Sequence, residues 1–288
     1  VYFVTNRLAE GLPFVPNEFM NSLIGGTVAM AQMRYPEIVV CDLLFMQNHY
    51  HMILVIDGDA NDMKAFMNFF DGEIAKIVVK ILGKRNVKVW AQPYCASQML
   101  DSSAVIKEIA YLYLNPVSAN LCSKVQNWQG ISTWDFYENP QVKYYKRIRP
   151  SLIPKLPNKA FSKNAIKSLS KYIEDLPVKP LAFNAQPLYW KKCFSDTANL
   201  ADSELKLQIN SIILDQENYL ANNRKIPVAN ADTLALQNPY KHYKPKNFGR
   251  RVFCICTIPE LRLAFIELYK AFCAECEEVW RHWKRGNF

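Results

Sequence analysis

Two histidines stand one residue apart in the run Met46-Gln47-Asn48-His49-Tyr50-His51-Met52-Ile53-Leu54-Val55-Ile56, and the chain holds only four. The surrounding residues are apolar and β-prone. In a strand, side chains at i and i+2 project to the same face. Both imidazoles therefore lie on one side of a sheet, with Tyr50 and Met52 on the other. Such a pair is either polar surface held by hydrogen bonds or the start of a divalent-metal site. The spacing alone leaves both readings open.

A second pattern follows downstream. Residues 101–116 read as a helix, with Asp101, Ser102 and Ser103 as capping oxygens. Val105, Ile106, Ile109, Ala110, Leu112 and Tyr113 give it a broad apolar face. Pro116 is expected to end it, because the residue before proline is pushed out of the α region. Asn115 then takes the last helical position, and Tyr111 lies four residues earlier on the same face. The bland reading is an amphipathic tyrosine and a helix-capping asparagine. The sharper one is a phenol nucleophile one turn from a neutral oxygen ligand.

Around these motifs, strands are expected over 1–6, 37–45, 49–56 and 86–91, and helices over 17–34, 61–82 and 101–115. The order β-α-β-β-α-β-α suggests an α+β fold, an antiparallel sheet with helices on one face in a ferredoxin-like layout. This unit spans 1–138. Prolines and cations then mark a basic linker over 139–160. A mostly α-helical C-terminal region follows over 161–288, with helices near 163–173, 202–222 and 259–283, suited to gripping DNA or a partner.

The ordered set Tyr2-Phe3-Val4-Thr5-Asn6-Arg7, Met46-Gln47-Asn48-His49-Tyr50-His51, Val89-Trp90-Ala91-Gln92-Pro93-Tyr94 and Tyr111-Leu112-Tyr113-Leu114-Asn115-Pro116-Val117 resembles the single-tyrosine HUH transposases. Within them it is most similar to the REP-associated tyrosine transposase (IS200-like) branch. The likeness runs to Ser132-Thr133-Trp134, beside that branch's Trp-Ser-Ser stretch. It implies that His49 and His51 hold Mg²⁺ or Mn²⁺, with Asn115 as the third ligand and Tyr111 as nucleophile. Tyr113 is the other nearby phenol, but two residues along a helix turn it roughly 200° away. Relatives carry Arg-Ala-Gly after Asn-Pro-Val; Ser118-Ala119-Asn120 here removes a phosphate-contacting arginine. The resemblance further implies cleavage and rejoining of single-stranded hairpin DNA through a 5′-phosphotyrosine, a prokaryotic cytoplasmic, nucleoid-associated setting, and a possible homodimer.

The net charge is +9, concentrated in two stretches. Residues 138–180 hold ten Lys or Arg against three acids, and 240–251 hold five cations and no acid. Both interleave aromatics, which suits phosphate contact beside base stacking. The candidate DNA contacts are Lys143, Lys146, Arg147, Arg149, Lys241, Lys244, Lys246, Arg250 and Arg251. The longest apolar run, 52–56, is too short to span a bilayer, no secretory leader is visible, and no membrane partner is expected. Eight irregularly spaced cysteines read as reduced thiols. Cys254, Cys256, Cys273 and Cys276 offer a zinc site, with core packing as the ordinary alternative. Two other functions fit the same motifs: a relaxase or replication-initiator nickase, and a non-cleaving nucleic-acid-binding descendant.

Overall fold

The computed structural model describes residues 1–83, 87–156, 160–241 and 252–286. The first unit runs β1 (Tyr2–Arg7), α1 (Glu18–Arg34), β2 (Ile38–Phe45), β3 (His49–Ile56), α2 (Ala60–Leu82), β4 (Cys95–Met99) and α3 (Ser102–Ser118). After it come α4 (Asp135–Glu138), β5 (Lys143–Lys146), α5 (Lys163–Asp175), β6 (Pro180–Phe183), α6 (Asp202–Asn222), α7 (Ala231–Ala235), β7 (Cys254–Ile255) and α8 (Pro259–Lys284). The class is α+β. The main sheet has the order β2-β3-β1-β4-β7, and β5 pairs with β6 in a second small sheet.

The expectation of helices on one face is corrected. Alternation in β1, β2 and β3 builds two cores, one on each side of the sheet. Val4, Val40, Tyr50, Met52 and Leu54 pack with α1 and α2. Phe3, Cys41, Ile53 and Val55 pack with α3, which is covered in turn by α6. The sheet is also mixed: β7 joins β4 in parallel, after roughly 150 intervening residues. The expected strand over 86–91 is displaced to Cys95–Met99. Among the described part of that segment, Trp90 makes one isolated bridge with Leu8 and sends its indole N–H to the Asp71 carbonyl, 3.1 Å away.

Pro116 does not end α3. Proline removes the N–H that would bond to the Leu112 carbonyl, but the turn is held from beyond it. The helix runs on to Ser118 and closes with Asn120 in the left-handed region at φ 56°. The Asn120 N–H donates to the Val117 carbonyl at 3.0 Å and that of Leu121 to Pro116 at 2.8 Å, a Schellman closure. Asparagine thus serves in the left-handed position that glycine most often takes.

Segment 139–160 carries β5 and feeds Ile148, Ile153 and Leu156 into the α1/α2 core. The β5–β6 pair lies against α1 so closely that a Cβ on Gly26 would overlap the Lys146 carbonyl oxygen. Covered on both sides, α1 has no polar face to display.

Asp42 on β2 is fully buried. Its Oδ1 accepts from Tyr113 Oη at 2.7 Å and Tyr137 Oη at 2.9 Å, while Oδ2 has no partner. Burial raises its pKa to about 7, against the pull of the two phenols. The unfolded chain releases this proton near pH 4, and the folded chain keeps it until near neutrality. The group's full stabilising contribution is therefore present in acid and is lost as pH rises to about 7. Thermal or urea melts should show stability falling by about 2–3 kcal/mol from pH 5 to pH 8, with Asp42→Asn flattening that slope. An unchanged slope in the variant would remove Asp42 as its source.

Candidate active site

Antiparallel pairing of β1 with β3 sets Arg7 opposite His49 and Thr5 opposite His51. Phe3, Thr5, Arg7, His49 and His51 thereby share the face that α3 crosses. The two imidazole centroids lie 5.0 Å apart. His51 stacks on Phe3 at 5.3 Å and meets the Tyr111 ring edge-on at 5.7 Å. Tyr111 and Asn115, one turn apart on α3, thus stand directly over the histidine pair.

The surroundings decide which atoms are free. His49 Nδ1 lies 2.8 Å from Asn48 Oδ1, an acceptor, so Nδ1 carries the proton and Nε2 the lone pair. Asn115 Nδ2 donates to the Tyr111 carbonyl at 3.0 Å, which turns the amide Oδ1 toward the histidine pair. His51 is buried, and among the described residues neither of its ring nitrogens meets a partner in full hydrogen-bond geometry, although the Asn115 amide lies beside it. Burial, followed by the Arg7 charge, lowers His49 to about 4, with Asn115 opposing. Burial, His49 and Arg7 together hold His51 well below the ordinary imidazole range. Both rings are neutral at physiological pH, the form that donates a lone pair.

The two tyrosines of α3 part company. Tyr111 is 53% exposed. Tyr113 is buried, with its hydroxyl bound to Asp42 and 2.8 Å from Thr133 Oγ1. Tyr111 borders a cleft of roughly 670 Å³, lined from β1 by Thr5 and Arg7, from β3 by His51 and from α3 by Glu108. Its far wall comes from the end of the chain: Val252, Cys254–Cys256 and Arg262. Asp101, the α3 N-cap, pins that wall by accepting from the Thr257 N–H at 2.6 Å and Oγ1 at 2.7 Å.

Most of the basic residues expected at DNA lie elsewhere. Lys143 pairs with Asp135 at 2.9 Å, Lys146 caps the carbonyls of Glu174 and Leu176, and Arg147 pairs with Glu73. All three sit on or beside β5, across α1 from the sheet and away from the cleft. Arg149 and Lys241 are exposed but do not line the cleft. Lys244, Lys246, Arg250 and Arg251 fall outside the described residues. Among the described residues, the cations at the cleft are Arg7 and Arg262, which the charge count passed over. Period-two alternation through Phe3, Thr5 and Arg7 could have flagged the first, whereas nothing local flags the second. Glu108, three residues before Tyr111, was legible by helical spacing; burial raises its carboxyl pKa.

The four cysteines considered for zinc do not converge. Cys254 is buried in β7, Cys256 lines the cleft, and Cys273 and Cys276 are exposed on α8. Among the described residues no three His, Cys, Asp or Glu side chains gather as a metal-holding group.

No protein-family model matches the chain, and no curated protein matches it. Among solved structures, the chain is similar to a REP-associated tyrosine transposase bound to a REP hairpin. Identity is 16%, the match covers 46% of this chain and 76% of that one, and the TM-score is 0.34. No described helix is long and apolar enough to cross a membrane.

The two phenols should separate by stability. Tyr113→Phe leaves buried Asp42 short of a donor and should cost about 1–3 kcal/mol in urea unfolding. Tyr111→Phe, at an exposed ring, should change stability by less than about 0.5 kcal/mol. Equal costs would contradict the environments described.

Proposed function

We propose that the protein is a metal-dependent transposase-type endonuclease that cuts and rejoins single-stranded DNA through a 5′-phosphotyrosine. The observation that carries the reading is the convergence of exposed Tyr111 with His49, His51 and Asn115 beside an open cleft. The ordered motifs add the substrate class, single-stranded DNA with a hairpin, of the REP type.

The donor set fits a divalent cation. Two neutral imidazoles and an amide oxygen form an uncharged three-ligand group, and the nitrogens of buried His51, without a full hydrogen bond among the described residues, call for a ligand. Hard ions favour more oxygen ligands, so Mn²⁺ suits the set better than Mg²⁺. When bound there, such an ion supplies charge neutralisation at the non-bridging phosphate oxygens and steadies the leaving 3′-oxygen.

The chain's own groups do the rest. Arg7 places a fixed positive charge beside the histidines, where the scissile phosphate must lie. Tyr111 Oη attacks phosphorus, its proton passing to solvent at the exposed side of the cleft. The P–O3′ bond breaks, giving a free 3′-hydroxyl and a 5′-phosphate ester on the phenol. Attack by a second 3′-hydroxyl returns the phenol and rejoins the strand. One phosphodiester replaces another, so no nucleotide energy source is needed.

Incubation with single-stranded hairpin oligonucleotides and Mn²⁺ should yield a protein–DNA adduct that survives a denaturing gel. Tyr111→Phe should abolish it with retention of DNA binding, and Tyr113→Phe should retain it. His51→Ala should remove the Mn²⁺ dependence along with the adduct. A wild-type protein that shifts the oligonucleotide without any covalent band would be a binder and not a nuclease.

A further inference from the structure

Helix α8 runs for 26 residues without one buried side chain. At 1.5 Å per residue it is roughly 39 Å long, and a helix so exposed is marginal on propensity alone. Most of its large apolar residues nonetheless gather on one side. Leu261, Phe265, Leu268, Phe272, Val279 and Trp283 follow one another at spacings of three, four or seven, so they form a single stripe. Tyr269 and Trp280 flank it. Among the described residues, the ring contacts to this helix fall in its N-terminal half, where Phe253 stacks on Phe265 and Tyr269. Beyond that point Leu268, Phe272, Val279 and Trp283 are 70%, 61%, 70% and 60% exposed.

Two quantities identify the occupant. The first is charge. The polar face carries five glutamates against four lysines or arginines, although the whole chain is at +9. Helices that lie on anionic membranes or along nucleic acid present a cationic face, and this one is close to neutral. The second is area. Seven or eight side chains with about half their surface open expose roughly 800 Å², more than the largest apolar patch usual on a monomer. That is also the share one partner contributes to a standard protein interface. A continuous stripe that can pair with itself about a two-fold axis meets this requirement in both copies at once.

We propose that α8 is a dimerisation helix, its apolar stripe packed on the same stripe of a second copy of this chain. The cleft contributes only Arg262 from the polar margin of α8, so pairing through the stripe leaves Tyr111 accessible. The inference does not depend on what the cleft does.

Light scattering and sedimentation of the full chain at micromolar concentration should give twice the chain mass. The double substitution Leu268→Glu with Phe272→Glu should give one chain mass, while far-UV circular dichroism keeps the helix content of wild type. Leu263→Glu adds a charge on the opposite side of the same helix and should remain dimeric, which separates loss of the interface from loss of the helix. A wild-type monomer across this range overturns the proposal, as does a monomer that floats with anionic phospholipid vesicles. A dimer that survives the double substitution places the interface elsewhere and overturns it equally.

Discussion

The hydrogen bond from Tyr50 Oη to Asp71 Oδ1, 2.5 Å long and buried, fixes which way β3 faces. Asp71 also accepts from Asn6 Nδ2 at 2.7 Å, and its carbonyl takes the Trp90 indole N–H. One α2 residue thus ties down β1, β3 and the loop before β4. A strand slipped by one residue would bury the imidazoles in the α1/α2 core and strand these polar groups without partners. The cost of that error is what sets His49 and His51 toward α3. The site is aligned by a network on the other side of the sheet, which reaches the cleft margin at Asn6, whose Oδ1 accepts from the Arg7 N–H at 2.8 Å.

The same device orients α3. Tyr113 is held by Asp42 and Thr133 on the inner side of the helix, with Trp134 and Tyr137 packed around its ring. Two residues away along the helix, Tyr111 is rotated to the outside and over His51. In β3 the anchored tyrosine sits between the two histidines; in α3 it sits two places after the exposed one. Each functional side chain is placed by a buried neighbour from the alternate face, so the stability of the two polar networks and the geometry of the site are one problem. Asp42 and Asp71 both have carboxyl pKa values raised by burial, a cost accepted for rigid orientation.

This explains what was legible in the residues. The period of two in β3 and of 3.6 in α3 report faces directly, so the pairing of the imidazoles and the turn from Tyr111 to Asn115 could be read without coordinates. Pro116 misled because the Schellman closure beyond it, through Asn120 and Leu121, holds the last turn despite the missing N–H. Residues 95–99, Cys-Ala-Ser-Gln-Met, carry no strand signature; they become β4 because β1 on one side and β7 on the other supply their hydrogen bonds. Among the described residues, the count of cations picked out none of those that line the cleft, for a different reason. Charge density along a chain does not say whether each cation already has a partner, and Lys143, Lys146 and Arg147 spend theirs on Asp135, on two backbone carbonyls and on Glu73.

Arg262 shows the limit of local reading most clearly. It reaches the cleft because two pairs of the β4–β7 ladder and the Asp101–Thr257 bonds bring the last part of the chain back to the sheet. The sheet, α3 and α6 form a wall with a continuous core behind it, whereas the opposing wall rests on these few contacts and on α8, which has no core of its own. Local opening costs least where buried apolar contacts are fewest. A cleft built from one rigid and one lightly held wall can widen on one side without disturbing the histidines. Anything that covers the apolar stripe of α8 also steadies the lightly held side. The polar networks that orient Tyr111 and His51 and the helix that stands apart from them therefore act on opposite edges of the same cleft.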